Sequence, residues 1–403
     1  MNTIVLHSLE TQIAKEGSPY IFGKVTTHDG DVYQGQIRWG KEEAFWFDFF
    51  NSSKPENKHL KWLSKEEMRA LDKKDNNSSF ASKYMSWDNN YDEHTHSFSC
   101  QFGDIKSLKI LRRSKIILEL KNGDIYKLKG GSNDIGAKIN IYDEDLGVVK
   151  LDWDRVNMVE FMSGPANMES AFGEPLYGIV DTYDGSFTGY LQWDHEERLT
   201  KDELNGETED GDMDIQFGKI KSIEKESRRR SLVTLNSGRT LELSGTNDVN
   251  SSNRGIIVNI PGYGRVDLQW DEFEKMTFTN TSAAKSISYS DFSGHKKIRG
   301  VVETKDGESY KGELVYDLDE SYNLEVLNGI YNDIEYFIPF SVIESIKPRN
   351  REESVVRLTN GNEITFEGKV DVNEKNDGVL VFNSENDYSY IPWEEIQQIS
   401  FNK

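Results

Sequence analysis

The sequence predicts an all-β protein built from three tandem copies of a two-part strand unit. Three observations carry this reading. One hairpin pattern occurs three times along the 403 residues, a second hairpin pattern follows each copy, and both patterns close with the same short motif. Self-similarity of this kind marks a repeat architecture and is read before any single motif.

The first pattern runs from Gly23 through Asp29-Gly30, Tyr33 and Gly35 to Trp39. It returns from Gly178 through Asp184-Gly185, Phe187 and Gly189 to Trp193-Asp194, and again from Gly300 through Asp306-Gly307, Tyr310 and Gly312 to Tyr316-Asp317. Asp-Gly between alternating segments is a hairpin signal, because both residues tolerate positive φ. The second pattern sets Asn122-Gly123, Ser237-Gly238 and Asn360-Gly361 between two strands, the later strand leading to Gly131, Gly245 or Gly368.

Six closing segments begin at Gln101, Leu151, Gln216, Leu268, Ile338 and Ile391. In each, an aromatic ends one strand, a three-residue helical turn reverses the chain, and apolar positions three apart lead into a last strand. The aromatics are Phe102, Trp153, Phe217, Trp270, Phe340 and Trp393. This arrangement resembles the closing strand, 3₁₀ turn and strand of small SH3-like and Sm-like barrels. The resemblance implies six small five-stranded SH3-like barrels arranged as three tandem pairs, over residues 20–111, 115–162, 175–226, 231–280, 297–348 and 353–402. The pairs then span 20–162, 175–280 and 297–402 behind an N-terminal segment 1–19, with Ser-, Gly- and Ala-rich linkers at 164–174 and 281–294. It does not imply RNA binding: where the Sm-like turn has an Arg-Gly step, this chain has Trp270-Asp271-Glu272 or Phe217-Gly218-Lys219. Fold-level analogy gives architecture and leaves function open.

The first unit is enlarged by an insertion over 41–97. It holds the one good helix signal, in which Ser64 caps and Glu67 completes a capping box ahead of Met68 and Leu71.

Aromatics at 11% and charges at 29% belong to globular material rather than to disorder. The net charge of −22 repels phosphate backbones, so nucleic acid is an unlikely partner without a local basic patch. No run approaches the ~20 apolar residues of a membrane helix. The single cysteine, Cys100, excludes an internal disulfide framework. The chain reads as cytoplasmic by default, with export and a removed signal peptide as the alternative.

Candidate chemistry is sparse. Gly35 to Glu42 comes within one residue of a phosphate-binding loop, but Glu42 stands where Ser or Thr must help hold magnesium, and Gly35 to Trp39 reads as strand. His94 and His96 alternate near Cys100 but have no counterpart in later copies, so they read as surface histidines. Asp210-Gly-Asp-Met-Asp214 lacks the glycine and the bidentate glutamate of a calcium loop. Asn133-Asp134 and Asn247-Asp248, with Val370-Asp371 in the third copy, read as turns or bulges held by short polar side chains. No nucleophile elbow or zinc-protease pair occurs. No catalytic residue, metal site or cofactor is therefore expected, and the chain reads as non-enzymatic.

Two features point to binding. The insertion is rich in aromatics, among them Phe45, Trp46, Phe47, Trp62 and Trp87, which supply large contact areas at interfaces. A basic turn also recurs after the first closing motif of each copy, with Arg112 and Arg113, then Arg228, Arg229 and Arg230, then Arg349 and Arg351. The expectation is a scaffold or assembly component binding protein partners, with self-assembly possible. The alternative is recognition of an anionic polymer, glycan or nucleic acid, through the basic turns.

Overall fold

The computed structural model describes residues 4–6, 17–54, 57–74, 96–130, 134–166, 168–279, 287–292, 295–384 and 387–402. Among these the chain forms thirty-one strands, several short 3₁₀ turns and one α-helix, Lys65–Lys74. No helix among the described residues is long and apolar enough to cross a membrane.

The local elements follow the sequence signals. Gly30 and Gly307 take φ of 93° and 92° in their hairpin turns, where a side chain would be strained. Five closing segments contain a 3₁₀ turn, at Phe102–Asp104, Trp153–Arg155, Phe217–Lys219, Phe340–Val342 and Trp393–Glu395. The sixth is a hydrogen-bonded turn at Trp270, where Glu272 N donates to Gln269 O at 3.2 Å. The helix carries its capping box: Ser64 N donates to Glu67 Oε2 at 2.6 Å, and Glu67 N to Ser64 Oγ at 3.2 Å.

Strand pairing departs from the contiguous units expected above. In the first repeat the hairpin Phe22–Thr27 and Val32–Trp39 does not pair with the strands that follow it. Val32–Trp39 pairs instead with Ile139–Asp143, and Phe22–Thr27 with the last strand, Val156–Phe161. The strands between them form a second set: Phe49–Lys54 and His96–Gln101 pair with each other, and Ile105–Arg112, Lys115–Leu120 and Ile125–Lys129 run on from Phe49–Lys54 through Ile125–Lys129. An outer five-strand set therefore brackets an inner one, and residues 20–111 and 115–162 are not separate sheets. The outer sets of the second and third repeats follow the same plan, but their inner strands split: Glu203–Thr208 and Gly211–Gln216 form a two-stranded sheet of their own, and Val326–Tyr331 and Ile334–Pro339 join the sheet of the second repeat. The two sets join where their closing strands pair, at Val159↔Leu108, Met276↔Ile223 and Ile399↔Ile346.

The recurring glycines fit this exchange. A Cβ on Gly35, Gly189 or Gly312 would meet the carbonyl of Tyr142, Asn259 or Phe382 at 1.8, 2.2 and 2.2 Å, on the strand that crosses from the far end of the repeat. The sheets remain open rather than closing as the SH3-like resemblance implies. Gly264–Leu268 of the second repeat pairs with Ile334–Pro339 of the third, which continues one sheet across the two repeats. One apolar core accordingly runs through both, while the first repeat has its own. Two smaller clusters dock the first repeat, one around Phe45, Phe47, Tyr190 and Leu199 against the second, the other around Leu71, Leu318 and Leu380 against the third.

Candidate functional site: carboxylates at the repeat joints and the sheet edges

Each outer hairpin ends in an aromatic followed by a nine-residue loop of fixed design. Trp39, Glu43 and Asp48 recur as Trp193, Glu197 and Asp202 and as Tyr316, Glu320 and Glu325, with identical spacing. The aromatic and the glutamate exchange backbone hydrogen bonds: Trp39 N to Glu43 O at 2.8 Å, Trp193 N to Glu197 O at 2.7 Å and Tyr316 N to Glu320 O at 2.8 Å. The last acid closes the loop by accepting two amides. Asp48 Oδ2 takes Ala44 N and Phe45 N, both at 2.8 Å, Asp202 Oδ2 takes Arg198 N and Leu199 N, and Glu325 Oε2 takes Ser321 N and Tyr322 N.

That acid then turns its other oxygen to a cation from a different repeat. Asp48 meets Arg198, Asp202 meets Arg38 at 2.7 Å, and Glu325 meets Lys54 at 2.6 Å. Lys54 also reaches Asp319 at 3.1 Å. Burial pulls the Lys54 ammonium down, but Asp319 and Glu325 outweigh it and hold the group well above its ordinary value. These ion pairs register the first repeat against the other two.

A second acid sits at the Asn-Asp positions. Asp134, Asp248 and Asp371 accept Asn51 N, Asn205 N and Asn328 N at 2.6, 2.7 and 2.6 Å. Their carbonyls receive Trp39 Nε1 and Trp193 Nε1 at 2.9 Å each, and the Tyr316 hydroxyl. They are structural ties of the turn, in agreement with the sequence pattern. Beside each tie stands the loop glutamate, and one oxygen of Glu43, Glu197 and Glu320 is sealed from solvent with no hydrogen-bond partner. Burial first, then the neighbouring acids, push these carboxyls up: Glu43 and Glu320 well above the ordinary range, Glu197 to about 8, Asp134 to about 7 and Asp371 to about 6. In two repeats a third carboxylate completes a cluster in which one oxygen from each residue lies within 4.8 Å of the others, Glu42 with Glu43 and Asp134, and Asp194 with Glu197 and Asp248.

The binding residues expected from the sequence fall into two groups. Phe45, Trp46 and Phe47 are buried: Phe47 stacks on Tyr190 at 4.4 Å, and Trp46 packs on Tyr289 at 4.5 Å. Their faces are spent on joints within the chain. Trp62 packs on Phe382 and Tyr388 of the third repeat, and Trp87 and His94 lie outside the described residues. Arg112, Arg113, Arg228, Arg229, Arg230, Arg349 and Arg351 are all exposed. Four of them stand near an acid of the same chain: Arg228 by Asp271, Arg230 by Glu242, Arg349 by Glu353 and Arg351 by Glu374. Gly35 to Trp39 is strand, and Asp210 to Asp214 belongs to the hairpin of Glu203–Thr208 and Gly211–Gln216 rather than to an ion-binding loop.

The sequence pattern did not single out the glutamate and the closing acid of the nine-residue loop. Their signal was present, since both recur at constant distance from the strand-ending aromatic.

A cleft of about 510 Å³ opens where the three repeats meet, with Phe49, Asp104, Tyr190, Tyr263, His295 and Asn323 among its walls. Burial lifts the Asp104 carboxyl to about 7 and lowers the His295 imidazole to about 4.

No protein family matches the chain, and no curated protein matches it either. A solved structure titled "Streptogramin B lyase structure" aligns over 74% of this chain and 94% of its own at 10% identity, with a TM-score of 0.14, too low to carry an argument.

Proposed function

We propose that this chain is a non-enzymatic scaffold that binds a protein partner by adding the partner's strand to a free sheet edge, each strand set acting as a small SH3-like module. One observation carries the reading. The outer edge of the second repeat, Gly264–Leu268, is already paired with a strand of the third repeat, whereas its counterparts Gly147–Leu151 and Asp387–Ile391 end their sheets among the described residues. The internal joint is thus an example of the contact that the free edges offer, and unpaired amides and carbonyls are a template for strand addition.

Gly147–Leu151 is the favoured edge. Tyr142 and Val148, partners across the hairpin, are 42% and 47% exposed, and Leu146 in its turn is 66% exposed. Apolar side chains beside an open edge suit a partner strand with apolar residues on one face and an acid opposite the exposed Lys150. The anionic-polymer alternative is weaker, because four of the basic-turn arginines have acids of their own chain beside them.

The test is photo-crosslinking from position 142 in cells, combined with Val148→Pro and Val149→Pro. Successive amides of an edge strand point alternately into and out of the sheet, so one of these prolines leaves the existing ladder whole. That variant is expected to melt like the parent and lose the crosslinked partner. An adduct with a second copy of the chain would assign the edge to self-assembly. Partner capture that survives both prolines sinks the reading.

A further inference from the structure

The acid cluster of the first repeat differs from its counterpart in the second by one missing cation. In the second repeat Asp194 and Glu196 hold the guanidinium of Arg254 at 2.8 and 3.0 Å, so the cluster with Glu197 and Asp248 has a positive group built in. Arg254 sits on the loop that runs from Asp248 to Ile256, the residue paired with Trp193. In the first repeat the corresponding loop runs only from Asp134 to Ile139, paired with Trp39, and has no arginine. Among the described residues no Lys, Arg or His nitrogen lies within 4.0 Å of Glu42, Glu43 or Asp134, although Arg254, His195 and Lys41 act on Glu42, Arg198 on Glu43, and Arg265 on Glu43 and Asp134 from a distance.

Glu43 supplies the second observation. Its side chain belongs to a residue only 8% exposed, and its Oε2 has no hydrogen-bond partner. Leaving an acceptor buried and unmade costs free energy, and a carboxylate costs more. The same carboxyl brings one oxygen into the three-carboxylate cluster, within 4.8 Å of one oxygen each of Glu42 and Asp134, and stands within hydrogen-bond reach of Asp134. Calcium takes several carboxylate oxygens in flexible geometry at roughly 2.3–2.6 Å, whereas magnesium demands a near-ideal octahedron and keeps most of its waters, so a site made of protein carboxylates suits calcium better. The donors are all carboxylate oxygens, without imidazole or thiolate, which selects a hard cation over zinc or copper.

We propose that Glu42, Glu43 and Asp134 bind one hard divalent cation, calcium by the chemistry of its donors, at the joint between the first and second repeats. Glu43 is the inner ligand and Glu42, half-buried, the outer one. Asp134 already accepts the amide of Asn51, so the ion ties the nine-residue loop of the hairpin to the Asn-Asp turn. In the second repeat Arg254 neutralises Asp194 and Glu196 at the mouth of the cluster, and Glu197 keeps its sealed oxygen.

The full-length chain, stripped with a chelator, is titrated with calcium, magnesium and terbium. Calorimetry reads the stoichiometry, and terbium luminescence is excited through Trp39, whose indole N–H bonds the Asp134 carbonyl. The expected result is one calcium per chain with a dissociation constant below about 1 mM, magnesium weaker, and a melting temperature raised by calcium. Glu43→Gln is expected to abolish binding, Glu42→Gln to weaken it at least tenfold, and Glu197→Gln to leave it unchanged. Glu42→Gln keeps the proposal testable if Glu43→Gln fails to fold. Absence of saturable binding of all three ions to the parent chain overturns the proposal, and means that Glu43 and Asp134 share a proton instead. Binding undiminished in Glu42→Gln, or lost in Glu197→Gln, overturns it as well.

Discussion

Arg198 of the second repeat meets Asp48 of the first, with side chains 2% and 3% exposed. The other oxygen of Asp48 holds the amides of Ala44 and Phe45, and the guanidinium lies 5.3 and 5.4 Å from the rings of Phe45 and Phe47. Removing one member of such a pair leaves the other charged and desolvated, which costs about 3–5 kcal/mol, while replacing both costs far less. Asp48→Ala is therefore expected to lower stability by about that amount in urea unfolding, and Asp48→Asn with Arg198→Met by much less than the sum of the two single changes. A melt of Asp48→Ala within a degree of the parent shows that this pair does not hold the joint.

Asp104 gives the central cleft a pH dependence of definite sign. Burial raises its carboxyl to about 7, partly opposed by Lys121, so the folded chain holds this proton more tightly than the unfolded chain does. The contribution is fully present below pH ~4 and is lost as pH rises through about 7. Asp104→Asn does not titrate. The difference in melting temperature, variant minus parent, should grow between pH 4 and 7 and level off above pH ~8. Lys121 works in the opposite sense: burial lowers it to about 8, so its penalty is relieved as pH climbs from about 8 toward its ordinary value of 10.5. Lys121→Met should be more stable than the parent at pH 7 and should lose that advantage by pH ~10.5. A parent–variant gap independent of pH would show that the residue in question does not set the pH dependence of the cleft.

The basic turns separate the two functional readings. Arg228, Arg229 and Arg230 are exposed, with Asp271 and Glu242 at 3.5 and 3.3 Å. Exposed pairs contribute less than about 1 kcal/mol each. Changing all three to Ala should shift stability only slightly and leave protein-partner binding intact. Sub-micromolar binding to heparin or single-stranded nucleic acid at physiological salt, abolished by that triple change, would instead establish the anionic-polymer reading, with a salt slope that flattens as contacts are removed.

Residues 175–280 contain both strand sets of the second repeat but not the third-repeat strand Ile334–Pro339 that covers their edge. The fragment is expected to unfold cooperatively and to self-associate through Gly264–Leu268 as concentration rises. Light scattering after size exclusion reads this. A fragment that stays monomeric at every concentration argues that the edge has little affinity of its own.

The sequence by itself determined the local elements: the Asp-Gly turn at Gly30, the capping box of Ser64 and Glu67, and the closing turns after Phe102 or Trp393. Each is set by a few neighbouring residues with strong backbone preferences, so each is legible without the rest of the chain. It also carried the threefold repeat, the turn role of Asp134, Asp248 and Asp371, and the recurrence of Glu43, Glu197 and Glu320, although that last recurrence has meaning only once the fold seals those oxygens. Only the tertiary structure decided that Val32–Trp39 pairs with Ile139–Asp143 rather than with Phe49–Lys54. Both candidates are alternating strands of similar length, and a hydrogen-bond ladder does not distinguish them; the choice is made by which pairing buries a common core. It decided likewise that Phe45 and Phe47 face inward and that Arg198, Arg38 and Lys54 neutralise acids of other repeats, because desolvation and charge pairing across distant segments are properties of the assembled chain and not of any window along it.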